Sequence, residues 1–401
     1  MNITENAMLK DQSIICFAPS DWWGMNPSCT THLIRRFARQ NKVLYVNPFS
    51  SDLMGVTAGK RRGFGQRAFR KLKSLSKWLR RAENNLYVFS PIFIPIQGNR
   101  YTDGLNNRLL HVQLQMACRA AGIRKPLIWI ENLRAADLLK YYKGAYTLFH
   151  VSDLFTHDGY VADKSVLRRR EQRVLEASGA VICVSQTLYG NYSEQRTDVH
   201  YLPHGVEFER FFAASQQTPR PPELKDIPGP IAGYFGTLTG SNDIALWELC
   251  ADRLKEVSFV FVGRVTGGDY ARLQSKPNVR MLGPLPYERI PAVCAGFDVC
   301  MLAWKMSPWI RSCNPLKLFE YMACGKPVVS VEIEEARRYA DVISVASSHE
   351  EFCRMLRWEL ENDTPGRKQK RIDIARQNDW DDKVERLSAI ILEGMPKGAA
   401  G

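Results

Sequence analysis

Short apolar runs alternate with longer stretches of helical periodicity along nearly the whole chain, the pattern of a parallel sheet covered by helices. A first series of predicted strands covers Ile14–Ala18, Val43–Val46, Leu127–Ile130, Tyr146–His150, Ala180–Val184 and Val199–Leu202. A second covers Ile231–Phe235, Ser258–Val262, Val279–Leu282, Asp298–Leu302, Val328–Val331 and Val342–Val345. Between them lies SQQTPRPPELKDIPGP at 215–230, whose proline and polar content predicts an interdomain linker. The expected organisation is a domain over 1–214, the linker, a domain over 231–374 and a helical segment in 375–401. A length of 401 residues suits two cores.

One stretch joins this pattern to chemistry. In NPLKLFEYMACGKPVV at 314–329, Lys317 and Glu320 lie one helical turn apart, behind a proline suited to a first turn and ahead of Gly325 and a buried strand. A carboxylate there can accept hydrogen bonds from sugar hydroxyls, and an ammonium can neutralise phosphate.

Charge changes the picture at a second place. The chain carries a formal net charge of +13, and KRRGFGQRAFRKLKSLSKWLRR at 60–81 holds ten of its basic residues and no acid. At 100° per residue Phe64, Ala68, Leu72, Leu75 and Leu79 fall in one arc, which predicts an amphipathic helix for the headgroup layer of an anionic membrane. A solvated helix packed on its domain is the plainer alternative. Nucleic acid is not an expected partner, because no recognised binding fold or stacking motif surrounds the segment. Ten cysteines without a CxxC pair read as buried thiols of a reducing compartment. With no apolar run long enough to span a bilayer and no signal pattern at the start, the expected location is the cytoplasm, peripheral at the inner face of the cell membrane.

The 314–329 stretch resembles the donor-site helix of GT-B glycosyltransferases, in particular family 4 (glycosyl transferases group 1) and its bacterial teichuronic acid and exopolysaccharide branch. The resemblance extends over HVSD at 150–153, ASGAVICVS at 177–185, YLPHGVEFERF at 201–211, GYFGTL at 233–238 and NVRMLGPLPYERIPAVCAGFDVCML at 278–302. It implies an α/β chain with two Rossmann-like domains facing across a cleft. The helix in 375–401 would cross back to the first domain, although an ordinary terminal helix fits the pattern equally. The implied activity is transfer of a sugar from a nucleotide-sugar donor to a lipid-linked saccharide in exopolysaccharide, capsule or envelope-glycan synthesis. Retention at the anomeric carbon is slightly favoured, with no cofactor and no metal. The alternatives are a catalytically silent nucleotide-sugar-binding scaffold and an epimerase or phosphorylase on the same fold.

By the same resemblance Glu320 would hold the donor ribose. Two departures matter. Ser312 stands where many relatives carry another Glu, and Thr237 and Asp243 stand where they carry an Arg and a Lys for the diphosphate. Replacement cations are sought in Lys317, Arg264 and Arg311, with the backbone amides of Gly236, Thr237 and Leu238 adding donors. Leu282 and Gly283 would line the base. On the acceptor side Asp153 and His150 end a predicted strand and Asp21 follows another, giving three candidates for the base or for orienting a hydroxyl. Trp22 and Trp23 are candidate sugar-stacking faces, or core. His204, where relatives have Asn, is expected to be structural.

Overall fold

The computed structural model describes residues 8–24, 27–49, 78–94, 100–154, 164–217 and 220–396. Two compact units result: the first comprises Met1–Cys183, Tyr189–Leu202 and Val384–Gly401, the second Val184–Leu188 and Pro203–Lys383.

Unit 1 is an eight-stranded sheet in the order β3-β4-β2-β1-β5-β6-β7-β8. Its strands are β1 (Ser13–Phe17), β2 (Lys42–Val46), β3 (Leu79–Glu83), β4 (Leu86–Phe89), β5 (Leu127–Ile130), β6 (Thr147–Val151), β7 (Ala180–Cys183) and β8 (Val199–Tyr201). All neighbours pair in parallel except β3 with β4. Central strands such as IICF and LIWI are buried on both faces, which is why they read as unbroken apolar runs. Helix α1 (Cys29–Phe37) follows β1 and begins in a capping box between Ser28 and Thr31. Helices α2 (Arg100–Ala121) and α3 (Lys164–Ala177) precede β5 and β7.

Unit 2 is a six-stranded parallel sheet, order β11-β10-β9-β12-β13-β14. It is built from β9 (Ile231–Phe235), β10 (Ser258–Val262), β11 (Val279–Gly283), β12 (Val299–Leu302), β13 (Val328–Val331) and β14 (Ser344–Ala346). Around it lie α4 (Phe208–Ser215), α5 (Ile244–Arg253), α6 (Pro308–Ser312), α7 (Leu316–Ala323), α8 (His349–Asn362) and α9 (Pro365–Arg376). The last helix, α10 (Trp380–Gly394), contributes its first turn to unit 2 and the rest to unit 1.

In each sheet the strand order reverses beside the first strand: β2 and β5 flank β1, and β10 and β12 flank β9. Ligands of such sheets bind beyond the carboxyl ends of the strands at this reversal. The reversal therefore marks one place in each unit.

Two expectations are corrected. The unit boundary falls at Leu202/Pro203, not in 215–230, because α4 and Leu224 pack into the core of unit 2. Residues 79–81 are not the end of an amphipathic helix but the start of β3, an edge strand pairing Leu79 with Phe89 through a turn at Asn84-Asn85. Its exposed Arg80 and Arg81 are what a sheet edge carries against further pairing, and that is what the helical reading took for a polar face. Residues 60–77 of that reading lie outside the described residues. No helix among the described residues is long and apolar enough to cross a membrane.

The end of α7 is tied down by one buried side chain. Arg371 on α9 donates to the carbonyls of Gly325 and Val342 at 3.0 and 3.1 Å and to Asp363 at 2.6 Å. Gly325, at φ +66°, presses against Lys368 and Ile372 of the same helix. Removing a buried charge partner leaves the others desolvated and unpaired, so Arg371→Met is expected to lower stability by about 3 kcal/mol. A urea midpoint equal to that of the wild type contradicts this.

Candidate active site

At the reversal in unit 2, Lys317 from α7 stretches over the end of β9. Its ammonium sits 5.5 Å from the ring centroids of both Tyr234 and Trp304, the latter just past β12. Beneath it is Gly236 at φ +130°, where a Cβ would come within 2.3 Å of Lys317 Cε. The glycine therefore makes the room in which the lysine lies. Asn242 braces the platform, donating to Tyr234 Oη at 3.3 Å while its Oδ1 accepts from the Thr239 amide and Tyr270 Oη.

One turn along α7, Glu320 is half-buried and accepts no hydrogen bond from a described residue. Burial pushes its carboxyl up to about 7, Lys317 works against that shift and Glu207 adds to it. Glu207 precedes α4 and pairs with Arg210 at 3.3 Å, and the Arg210 guanidinium stacks 4.9 Å from the Tyr287 ring centroid. Glu320 in turn pushes the Tyr287 hydroxyl upward, behind the larger effect of burial. A poorly solvated carboxyl without a hydrogen-bond partner among the described residues thus lies beside a cation and an aromatic-guanidinium stack, chemistry able to accept from vicinal hydroxyls and to meet phosphate.

The other donor-side candidates fall around this core. The amide of Gly236 donates to Val262 O and that of Leu238 to Arg264 O, at 2.8 and 2.9 Å, so two of the three amides expected for phosphate are already spent. That of Thr237 remains without an acceptor among the described residues, and its side chain is exposed. Gly263, at φ +149°, would place a Cβ 1.9 Å from Gly236 O, so the loops ending β9 and β10 touch backbone to backbone. Gly263 N–H donates to Gly283 O at 2.8 Å, which brings Leu282 and Gly283 to the same edge. Arg264 is exposed on the loop after β10, and Arg311 is exposed on α6 with no ion pair or hydrogen bond to its guanidinium among the described residues. The departures from the family pattern have structural jobs. Ser312 is buried and donates to Trp309 O, while Asp243 caps α5 and meets His349 at 2.8 Å.

At the reversal in unit 1 the dominant group is Glu131, which sequence reading missed. It follows β5, is fully buried, and accepts from Thr30 Oγ1 at 2.8 Å, Trp129 Nε1 at 3.0 Å and His150 Nδ1 at 3.1 Å. His150 is thus a buried imidazole held through Nδ1. After burial itself, Glu131 is the main group raising the thiols of Cys16 and Cys29. Asp153 lies beyond β6 with one oxygen accepting from the Leu154 amide, and Asp21 is exposed with one oxygen accepting from the Trp23 amide. Both carboxylates serve turns. Trp22 is core: it is buried, edge-on to Tyr45 at 5.0 Å, and its amide donates to Asn47. Its sugar-stacking reading is withdrawn. Trp23 keeps an exposed face, with the Arg80 guanidinium 6.0 Å from its ring. His204 is buried beside Trp380, as a structural histidine would be.

The signals for the missed residues were present but local reading could not rank them. Glu131 stands in WIEN directly after an apolar strand, and Glu207, Arg210 and Tyr287 lie in segments already singled out by resemblance.

A titration follows from Glu320. Its carboxyl binds a proton in the folded state up to about 7 and in the unfolded chain only up to about 4.5, so the folded state holds more protons between these values. Stability is therefore expected to fall as pH rises through this window and to level off above it. Glu320→Gln should flatten that part of the curve, and urea unfolding of both proteins across the window decides it.

Comparison with known proteins agrees with this geometry. Residues 230–362 match the family model described as Glycosyl transferases group 1. A protein of Bacillus subtilis (strain 168) assigned to teichuronic acid biosynthesis as the glycosyltransferase TuaH is 29% identical over 177 residues. That alignment covers 42% of this chain and 44% of the relative's length. Among solved structures, Anabaena HepE in complex with UDP superposes with a TM-score of 0.67 at 14% identity, covering 95% of this chain and 100% of that one. Sucrose-phosphate synthase from Thermosynechococcus elongatus gives 0.67 at 13% identity, covering 95% and 98%. These likenesses carry the fold, which is GT-B. The match over 230–362 spans about a third of the chain and likens that part of unit 2 to the group 1 glycosyl transferases.

Proposed function

We propose that the protein transfers a sugar from a nucleotide-sugar donor to a saccharide acceptor. The observation that carries this reading is the pair Lys317 and Glu320 on α7, one over Gly236 and the other without a hydrogen-bond partner among the described residues, at the strand-order reversal of unit 2. In the reaction an acceptor hydroxyl oxygen forms a bond to the anomeric carbon, the bond from that carbon to the diphosphate breaks, and the hydroxyl proton leaves. The departing diphosphate takes the electron pair. Its growing charge is met by Lys317, helped by Arg264 and Arg311, while Glu320 holds the ribose hydroxyls. The solved relative HepE binds UDP, which supports a uridine diphosphate sugar as the first donor to try. On the acceptor side His150, oriented by Glu131, is the better base than Asp153 or Asp21, whose carboxylates are engaged in turns.

The likeness to TuaH favours an envelope polysaccharide, and a lipid-linked acceptor would suit the positive charge and the basic segment 60–77. We place the enzyme in the cytoplasm at the membrane face and working without a metal, with the acceptor oxygen entering on the face from which the diphosphate leaves, so that the configuration at the anomeric carbon is retained.

Lys317→Ala tests this reading. Because leaving-group charge develops in the transition state, turnover should fall about a hundredfold while affinity for the nucleoside changes little. Donor bound with no transfer and no hydrolysis by the wild type would instead make the chain a binding scaffold. Turnover that survives EDTA is expected, and its loss would bring a metal into the site.

A further inference from the structure

Helix α2 is apolar on two opposite sides. Leu110, Leu114, Ala117 and Ala121 face inward and are buried, and Gln113 holds the 91–94 segment through Ile92. The other side carries Leu105, Val112 and Met116, exposed at 53%, 51% and 52%, with Tyr101 exposed at 82% at the start. At 100° per residue these four lie within one narrow arc, with Arg119 at its edge and Arg108 just outside it. No Asp or Glu interrupts the arc. A stripe of large apolar side chains along a 22-residue helix is not surface that a free protein keeps without use.

Charge decides between occupants. Unit 1 contains 31 Lys and Arg against 17 Asp and Glu, whereas unit 2 contains 24 against 25. The entire positive excess of the chain therefore belongs to the unit that bears the stripe. A second copy of unit 1 would bring the same excess and the same two arginines against it, at a repulsive cost. An anionic lipid surface meets both features at once, apolar side chains entering the acyl boundary and arginines reaching phosphate.

We propose that the outer face of α2 is a docking surface for anionic membrane, with Leu105, Val112 and Met116 as inserting side chains and Arg108 and Arg119 as headgroup contacts. This rests on the membrane-face reading above and places the inserting and headgroup-contacting side chains on described residues outside 60–77.

The test is sedimentation of the full chain with vesicles of phosphatidylglycerol and phosphatidylcholine, and with phosphatidylcholine alone. Wild type should pellet with the anionic vesicles and much less with the neutral ones. The triple variant Leu105→Gln, Val112→Gln, Met116→Gln should partition about tenfold more weakly, since each inserted chain contributes through its buried apolar area. Arg108→Gln with Arg119→Gln, both at exposed positions, should weaken binding to anionic vesicles alone, and this arm holds even if the triple variant does not fold. UDP affinity of the same preparations is measured by calorimetry, so that loss of docking is distinguished from failure of the donor reading. The inference is overturned if wild type does not pellet, if both variants pellet as wild type does, or if equilibrium sedimentation finds a dimer that the triple variant dissolves.

Discussion

The candidate donor site depends on one close approach, the backbone contact between the loops that end β9 and β10. Gly263 can lie against the carbonyl of Gly236 because neither carries a side chain, and both use positive φ values that L side chains rarely adopt. That contact consumes the amides of Gly236 and Gly263 in cross-strand hydrogen bonds and leaves a floor of bare backbone. Lys317 fills the space above it. The ammonium is then placed by three constraints at once: the helix it grows from, the glycine below it and the rings of Tyr234 and Trp304 beside it. Arg371, by gripping Gly325 at the end of the same helix, extends the chain of constraint to the last helices of unit 2.

Unit 1 uses the opposite device at the equivalent place. Where unit 2 opens space with glycine, unit 1 buries a carboxylate and surrounds it with three donors from three parts of the chain. Such a group is tolerated only when its oxygens are satisfied, and the satisfaction fixes its neighbours. His150 is oriented by this arrangement, which gives it a role that neither Asp153 nor Asp21 shares. The two units thus offer complementary chemistry, a site short of hydrogen-bond donors to its carboxyl in one and an imidazole backed by a buried carboxylate in the other.

Much of this was legible beforehand, and the reasons are local. The twelve strands read as apolar runs were found, the central ones because strands buried on both faces must be apolar throughout. Lys317 and Glu320 could be paired from the sequence because a helix brings residues one turn apart to the same side. The failures came where the deciding partner is distant. β3 looked helical because its charges answer to a sheet edge, and the sheet position of LRRAE is set by pairing with β4 and by β4's pairing with β2. Trp22 could be read as a sugar platform or as core until Tyr45 was found edge-on to its ring and Asn47 accepting from its amide.

By itself the sequence determined the element types, the alternation that makes two parallel sheets, the helix that carries the acid and the base, and the sign of the net charge. Those follow from periodicity and composition, which act over a few residues. Only the tertiary structure decided that Glu131 lies under Thr30, 101 positions away, that Gly236 lies under Lys317, and that α2 keeps an apolar stripe exposed. The physical reason is that burial, pairing and close approach are properties of residues brought together by the fold, and the identity of a residue's neighbours in space is not written in its neighbours along the chain.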